Sequence, residues 1–179
     1  MFSNSFIEEE LFKAKDYVKV CSPNISYSLC KRLFDLLDND VKIRVITSDV
    51  ITGDKNSNQA NSLAKDTIKK FQDENNSNLE YKVISTHDIP LIHAKIYVID
   101  GKCAIMGSAN LTENSFHNFV EYVMITHESD SVKQIETDFE NFWADSNSYP
   151  NQITAKSVKG FLKNLKKKLF RLRVQSIAY

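Results

Sequence analysis

The chain has 179 residues, a hydrophobic content of 42% and a mean hydropathy of −0.35, as is typical of a globular domain that buries its own core. No apolar run approaches the roughly 20 residues needed to span a bilayer, so we expect no transmembrane segment. The acidic start is unlike a signal peptide, and three cysteines without CxxC spacing favour reduced thiols. These features predict a cytoplasmic protein.

The net charge of zero conceals an uneven distribution. Eight Lys and Arg residues lie between Lys156 and Arg173, in a tail that has no Asp or Glu. Residues 1–155 therefore carry −8, and the tail carries +8. A basic arm on an acidic body is typical of a protein whose arm meets an anionic partner. We predict a folded domain over 1–149 and a basic tail over 150–179.

Strand and helix patterns alternate along the body. Acidic residues near position 8 suit the first turn of an N-terminal helix, whose dipole favours negative charge there. The patterns that follow predict strands over 17–21, 41–46, 79–84, 91–99, 102–107 and 119–126, helices over 25–37, 63–72 and 131–143, and a loop over 52–62. This alternation predicts a layered α/β sheet.

A hairpin is predicted in the second half of the body. Asp100-Gly101 joins two apolar-rich runs, and a type I′ turn needs two residues that tolerate positive φ. Such a turn places Ile99 opposite Lys102 and so fixes the register of the two strands.

The same register brings polar side chains together. Ser108 falls directly across from His93, and Lys95 shares a face with His93. Asn110 follows just beyond the strand end, whereas Cys103 falls on the opposite face. An imidazole, an ammonium, a hydroxyl and an amide therefore converge within about 10 Å.

These groups suit a phosphodiester. The neutral imidazole of His93 can act as a nucleophile and carry protons near neutral pH. Lys95 and Asn110 can donate to the non-bridging oxygens, where charge gathers in the transition state, and Ser108 adds a hydroxyl donor. Glu121, a carboxylate in an apolar strand, is the candidate that accepts from the second ring nitrogen and orients the imidazole.

The motif residues resemble a known family. The sequence His93-Ala-Lys95-Ile-Tyr-Val-Ile-Asp100, followed by Gly107-Ser108-Ala-Asn110, resembles the HxKxxxxD and GSxN signature of the phospholipase D superfamily. Glu121 lies where that family has its His-orienting glutamate. The resemblance covers roughly residues 5–145 and is greatest to small bacterial endonucleases with one motif copy per chain.

The resemblance implies a fold and a role for each motif residue. It implies an α/β/α sandwich with a mixed sheet, in which the motif histidine, here His93, becomes covalently phosphorylated. The lysine and asparagine, here Lys95 and Asn110, bind phosphate. Asp100 and Gly107 are structural members of the motif, and the position of Asp100 in a hairpin turn is consistent with that role.

The chain contains one HxK sequence, because His87, His117 and His127 have no lysine two positions later. One imidazole must attack phosphorus while another protonates the leaving oxygen, and a single group cannot do both at once. We therefore predict a two-fold homodimer in which two copies of His93 face each other. Histidine and lysine together do without a metal, so no metal or other cofactor is expected. The other three histidines are expected at the surface or as caps.

The basic tail is predicted to form an amphipathic helix, because its apolar residues recur at helical spacing. Such a helix can bind nucleic acid, lie on an anionic membrane surface or pack on a partner. The candidate phosphate-binding residues of the tail are Lys163, Lys166, Lys167, Lys168, Arg171 and Arg173.

Chemistry of this kind leaves the substrate open, since the motif defines the reaction centre and not the leaving groups. We predict a metal-independent phosphodiesterase, specifically an endonuclease that cuts DNA or RNA as a homodimer. One alternative is a phospholipase or phosphatidyl-transferring enzyme on a membrane surface. The other is a family member that binds nucleic acid without cutting it.

Overall fold

A six-stranded mixed sheet forms the centre of the computed structural model, which describes residues 5–48, 55–74, 77–84 and 92–144. The strands are β1 (Tyr17–Cys21), β2 (Lys42–Ser48), β3 (Leu79–Ile84), β4 (Ile96–Ile99), β5 (Cys103–Gly107) and β6 (Val123–Thr126). Their spatial order is β3-β2-β1-β4-β5-β6; β1 to β3 are parallel, and β4 to β6 pair antiparallel to their neighbours. The predicted mixed α/β sheet is confirmed. The helix predicted for the basic tail lies outside the described residues.

Helices cover both faces of the sheet. The described α-helices are α1 (Ser5–Leu11), α2 (Tyr27–Phe34), α3 (Lys55–Asp73) and α4 (Ser129–Ala144). Alternate strand residues such as Val20, Val45 and Tyr97 share one core with apolar residues of α1, α2 and α3. Helix α4 covers the other face, and the result is the three-layered α/β/α arrangement. No helix among the described residues combines the length and the apolarity needed to cross a bilayer.

Helix α4 is held on its face of the sheet by apolar and charged contacts. Its buried residues Val132, Ile135 and Phe139 recur at helical spacing and point at the sheet. Lys19 of β1 contacts the carboxylate of Glu136 at 2.6 Å. The charged end of Lys19 thus reaches an acidic residue of α4, while the aliphatic part of its side chain covers the sheet.

Several predicted boundaries differ from the structure. The segment over 52–62, which is rich in polar residues and was predicted as a loop, includes the first turns of α3, which begins at Lys55. Helix packing outweighs the weak helix propensity of the asparagine and serine residues there, because Ala64 and Ile68 bury one side of α3 against the core. The predicted helix over 25–37 is shorter, and ends in a 3₁₀ turn over Asp35–Asn39.

The hairpin turn has the predicted conformation but a different register. Asp100 and Gly101 have φ values of 52° and 62°, and the Lys102 amide donates to the Ile99 carbonyl at 2.9 Å. The ladder nevertheless pairs Ile99 with Cys103, so the prediction that Ile99 lies opposite Lys102 was wrong. The predicted register would turn Lys102 toward the buried face, which is costly for a charge. In the observed register Lys102 is exposed to solvent.

The shifted register changes which residues face each other. Cys103 now lies in the same core as Tyr97, on the face opposite to the predicted one. The ladder also begins only at Ile96, so the predicted pairing of Ser108 with His93 does not form. Both residues lie instead in loops that extend from the same end of the β4–β5 hairpin.

Candidate active site

The candidate site lies at one edge of the sheet, where β1, β2 and β3 have their carboxyl ends. Because β4 is antiparallel to β1, the start of β4 meets the end of β1 there, with Ile96 paired to Cys21. The loop before β4, the loop after β5 and the segment before β6 all reach this edge. Functional loops gather at the carboxyl edge of the strands in open α/β sheets.

The loop before β4 supplies an imidazole in contact with an ammonium. The Lys95 Nζ lies 2.9 Å from Nδ1 and 3.1 Å from Nε2 of His93, and it donates to the His93 carbonyl at 2.8 Å. Lys95 is only 4% exposed, whereas His93 is exposed to solvent. An ammonium hydrogen needs an acceptor nitrogen, so this contact suits a neutral imidazole. The nucleophile candidate is thus open to a substrate, with a buried cation beside it.

The charge of Lys95 is balanced by its surroundings. Burial lowers the pKa of Lys95 below its ordinary value of 10.5, and the negative charge of Glu121 opposes that shift. Burial raises the pKa of the neighbouring Cys21 thiol to about 12, so this thiol stays uncharged near neutral pH. The negative charge of Glu121 thus favours the charged form of Lys95 and offsets part of the cost of burial.

The GSxN segment is tied to the strand beside it. Ser108 donates from its hydroxyl to the Glu121 carboxylate, and the same hydroxyl accepts from the Tyr122 amide at 3.0 Å. A Cβ on Gly107 would come within 2.2 Å of the Tyr122 carbonyl oxygen, so a side chain does not fit there. The glycine therefore lets the two segments approach closely enough for Ser108 to reach Glu121.

Glu121 does not make the contact that the sequence predicts for it. We expected this carboxylate to accept from a ring nitrogen of His93, but it accepts from Ser108 instead. In the described part of the chain, the side-chain partner of the His93 ring is Lys95. Glu121 thus acts on this site through its charge, which opposes the lowering of the Lys95 pKa by burial.

Asn110 brings an amide with free hydrogen-bonding capacity to the site. Its backbone amide donates to the Ser115 hydroxyl at 3.2 Å, which holds the residue in place. Its side-chain Oδ1 is buried and, within the described residues, has no hydrogen-bond partner. A buried acceptor without a partner costs about 1–3 kcal/mol, so this oxygen would be satisfied by a donor on a ligand, whereas the side-chain Nδ2 is the atom that would donate to phosphate oxygens.

Two residues that the sequence analysis did not select hold the loop of Asn110. The buried Tyr97 hydroxyl donates to the Ala109 carbonyl at 2.9 Å, and the Leu111 amide donates to the Ser22 hydroxyl at 2.9 Å. Tyr97 has a sequence signal, because it alternates with His93 and Lys95. Ser22 has none, since its partner lies far away along the chain.

Asp100 acts at a distance from this edge, at the far end of the hairpin. Its carboxylate accepts from the backbone amides of Lys15, Asp16 and Tyr17 at 3.0, 2.8 and 2.9 Å. Partial burial alone would raise the pKa of Asp100, but the amides outweigh it and the pKa is lowered. Asp100 thus fastens the hairpin turn to the start of β1.

The remaining histidines lie outside the candidate site or outside the described residues. His117 is exposed, and its Nε2 lies 2.9 Å from Glu8 and 3.3 Å from Glu113. His127 is also exposed, with its Nε2 3.6 Å from Glu10. His87 and the six candidate basic residues of the tail lie outside the described residues.

The electrostatic influence of Glu121 on Lys95 gives a testable pH dependence. We expect Glu121→Gln to move the alkaline limb of the kcat/KM profile to lower pH, because the negative charge that raises the pKa of Lys95 is removed. Glutamine can still accept from Ser108. Glu113→Gln, in the same loop region, is the matched control. An alkaline limb that stays in place in Glu121→Gln would contradict this electrostatic role.

Comparison with known proteins gives one family and similar folds. Residues 7–143 match the family described as "Cardiolipin synthase, PLD-like domain". A stretch of 69 residues, 38% of this chain, is 35% identical to cardiolipin synthase 1 of Bacillus anthracis, and it spans 14% of that protein.

Two solved structures are similar over most of both chains. NucT from Helicobacter pylori has a TM-score of 0.55 and 18% identity, covering 79% of this chain and 86% of that chain. Nuc from Salmonella typhimurium, a phospholipase D family member, has a TM-score of 0.58 and 15% identity, covering 78% of this chain and 85% of that chain. At these identities the similarity is one of fold.

Proposed function

We propose that this chain, which belongs to the phospholipase D superfamily, is a phosphodiesterase that cuts nucleic acid as a homodimer, with no metal at the reacting phosphate. The observation that carries the proposal is the contact between the exposed His93 imidazole and the buried Lys95 ammonium. This pair offers a nucleophile and a fixed positive charge within 3 Å or so of each other. Asn110 supplies an additional amide for the phosphate oxygens.

The reaction would proceed in two displacements. In the first, a ring nitrogen of His93 bonds to phosphorus while the bond to the leaving oxygen breaks, and the partner subunit's His93 gives its proton to that oxygen. In the second, the partner subunit's His93 takes a proton from water as the water oxygen attacks phosphorus. The phosphorus–nitrogen bond then breaks, and its electron pair returns to the imidazole.

The homodimer is supported by features of the chain beyond its single HxK sequence. Three apolar side chains next to Glu121 are exposed: Phe119 by 55%, Val120 by 90% and Tyr122 by 86%. They lie at the same edge of the sheet as His93. Contiguous exposed apolar side chains mark interaction surfaces more often than isolated ones do. Self-association through this surface would bring two active-site edges together.

Nucleic acid is the favoured substrate because of the charge of the tail and the extent of the match to two structural neighbours. The structural neighbours NucT and Nuc match over 86% and 85% of their own lengths, so this fold forms nearly the whole of those chains. Residues 1–155 carry −8 and would repel a long polyanion, whereas the tail carries +8. We propose that the basic residues of the tail bind backbone phosphates, which gives affinity without sequence preference and a steep salt dependence.

A lipid phosphodiester is the second candidate. It is favoured by the matching family's description and by the 35% identity to cardiolipin synthase 1 of Bacillus anthracis. On this alternative the basic tail would lie on an anionic membrane surface. The matched stretch of 69 residues spans 14% of that protein.

A substrate panel separates these candidates. We expect the full chain to cut plasmid DNA, single-stranded DNA or RNA in the presence of EDTA, because Lys95 provides the charge that a metal would otherwise supply. Cardiolipin vesicles in the same buffer test the lipid candidate. His93→Ala is the control in each case, and the assays are run well below the unfolding temperature of the EDTA-treated protein.

The outcomes are distinct. Nucleic acid cutting that EDTA spares and His93→Ala removes supports the proposal. Turnover of cardiolipin alone would replace it with the lipid candidate. Binding of nucleic acid without any turnover would indicate a non-cutting family member. Loss of cutting on chelation, in protein that is still folded, would contradict the metal-independent mechanism.

A further inference from the structure

Three potential metal ligands meet at the end of the sheet opposite the candidate active site. Glu10 comes from α1, Cys103 from the start of β5, and His127 from the residue after β6. Their ligand atoms, one carboxylate oxygen, the Sγ and one ring nitrogen, all lie within 4.8 Å of one another. These residues are far apart in sequence, and the fold alone brings them together.

The spacing of these atoms is close to that of a tetrahedral zinc site. Zn–N and Zn–O bonds of about 2.0–2.1 Å give an N–O edge of about 3.4 Å, and a Zn–S bond of about 2.3 Å gives an S–N edge of about 3.6 Å. The His127 Nε2 lies 3.6 Å from the Glu10 Oε2, which is too long for a good hydrogen bond but close to this edge. Because the ligand atoms lie within 4.8 Å of one another, shortening their separations by up to about 1.4 Å would bring all three onto one ion.

The donor set and its burial select the class of ion. Zinc binds thiolate, imidazole and carboxylate ligands, whereas magnesium and calcium prefer oxygen ligands alone. Cys103 is 3% exposed, so its sulfur lies at the inner end of the cluster. The His127 side chain is 61% exposed, which leaves a path for the ion from solvent.

We propose that Glu10, Cys103 and His127 bind one zinc ion, with water in the fourth position. The ion would join α1, the β4–β5 hairpin and the end of β6, and so stabilise the fold. It would take no part in the reaction, because β5 separates this cluster from His93. The site is independent of the proposed function. Binding replaces the thiol proton of Cys103 by the zinc–sulfur bond, and the proton is released to solvent.

Zinc titration of the EDTA-stripped, dialysed full chain tests the site. We expect one zinc per chain by calorimetry and a higher Tm with zinc than without it, because the ion binds the folded state. Removal of a residue that hydrogen-bonds to a metal ligand weakens metal binding by about 10–100-fold. His127→Ala removes a ligand itself, so we expect it to weaken zinc binding by at least about tenfold. Glu10→Gln should do the same. Magnesium should not raise the Tm.

Matched variants make the result decisive. His117→Ala removes another exposed histidine, and His93→Ala removes the one at the candidate active site; both should keep the zinc affinity of the wild type. Cobalt in place of zinc should give a thiolate charge-transfer band that Cys103→Ala abolishes. If Cys103→Ala does not fold, the band of the wild-type chain and its loss in His127→Ala serve instead. Equal zinc affinity in the wild type, His127→Ala and Glu10→Gln would overturn the proposal.

Discussion

His93→Ala is expected to lower kcat for nucleic acid cutting by at least about 10⁴-fold, because the nucleophile of the first displacement is lost. The fold should be unaffected, since His93 is exposed and its ring nitrogens lie within hydrogen-bond distance of Lys95 at the same edge of the sheet. Steady-state kinetics and a thermal unfolding curve check the two parts of this expectation. His117→Ala, which removes an exposed histidine bound to Glu8, is the control and should keep most of the activity.

The covalent step can be tested with the same pair of proteins. Acid-sensitive, base-stable phosphate should remain on the wild-type chain when turnover of a labelled diester is quenched with denaturant, and it should be absent from His93→Ala. A His93→Ala chain that retains more than about one hundredth of the wild-type kcat would show that another group attacks phosphorus, and the assignment of the nucleophile would be wrong.

Asp100→Ala is expected to lower the free energy of unfolding by about 3 kcal/mol, because a carboxylate that accepts from three backbone amides is lost. The alanine must also adopt the positive φ of 52° seen at this position, which L residues other than Asn and Asp resist. Asp100→Asn tolerates that φ and keeps one acceptor oxygen, so it should lose about half as much. Urea unfolding at neutral pH measures both.

The contribution of Asp100 should depend on pH in a defined direction. Its pKa in the folded chain lies below the ordinary value of 3.8, so its charge is more favourable in the folded state. The stability difference between wild type and Asp100→Asn should therefore be constant above about pH 5 and should shrink as the pH falls through the ordinary pKa toward the folded one. Lys70→Ala, which removes an exposed charge beside Glu74, is the control and should change stability by less than about 1 kcal/mol. A difference that grows on acidification would contradict the role of Asp100.

Much of the fold could be predicted because its strands carry a strong local pattern. Tyr17–Cys21 and Leu79–Ile84 were predicted with the bounds that the structure has, and both alternate or bury their apolar residues. The bounds of β4 and β6 were too long, because a strand ends where its hydrogen-bond partner ends. The apolar run over 91–99 does not indicate that the neighbouring strand β5 ends at Gly107.

In the candidate site too, a contact between residues close in sequence could be predicted, whereas a contact between separate segments could not. The association of His93 with Lys95 depends on their spacing in one segment, and it was predicted. The bond from Ser108 to Glu121 was not, because it depends on the register between β5 and β6, which pairs Gly107 with Val123. The shifted register of the β4–β5 hairpin also turns Cys103 toward Glu10, which is why the sequence gives no sign of the cluster at the other end of the sheet.

Subunit mixing tests the central claim, which is that two His93 imidazoles from two chains act on one phosphate. Wild-type chain and His93→Ala are co-refolded in equal amounts, so that about half of the dimers are mixed and about a quarter are wild type. Because a mixed dimer has one imidazole, we predict about a quarter of the activity of the same total amount of wild-type chain. Activity of about half, as expected when each chain works alone, would contradict the claim.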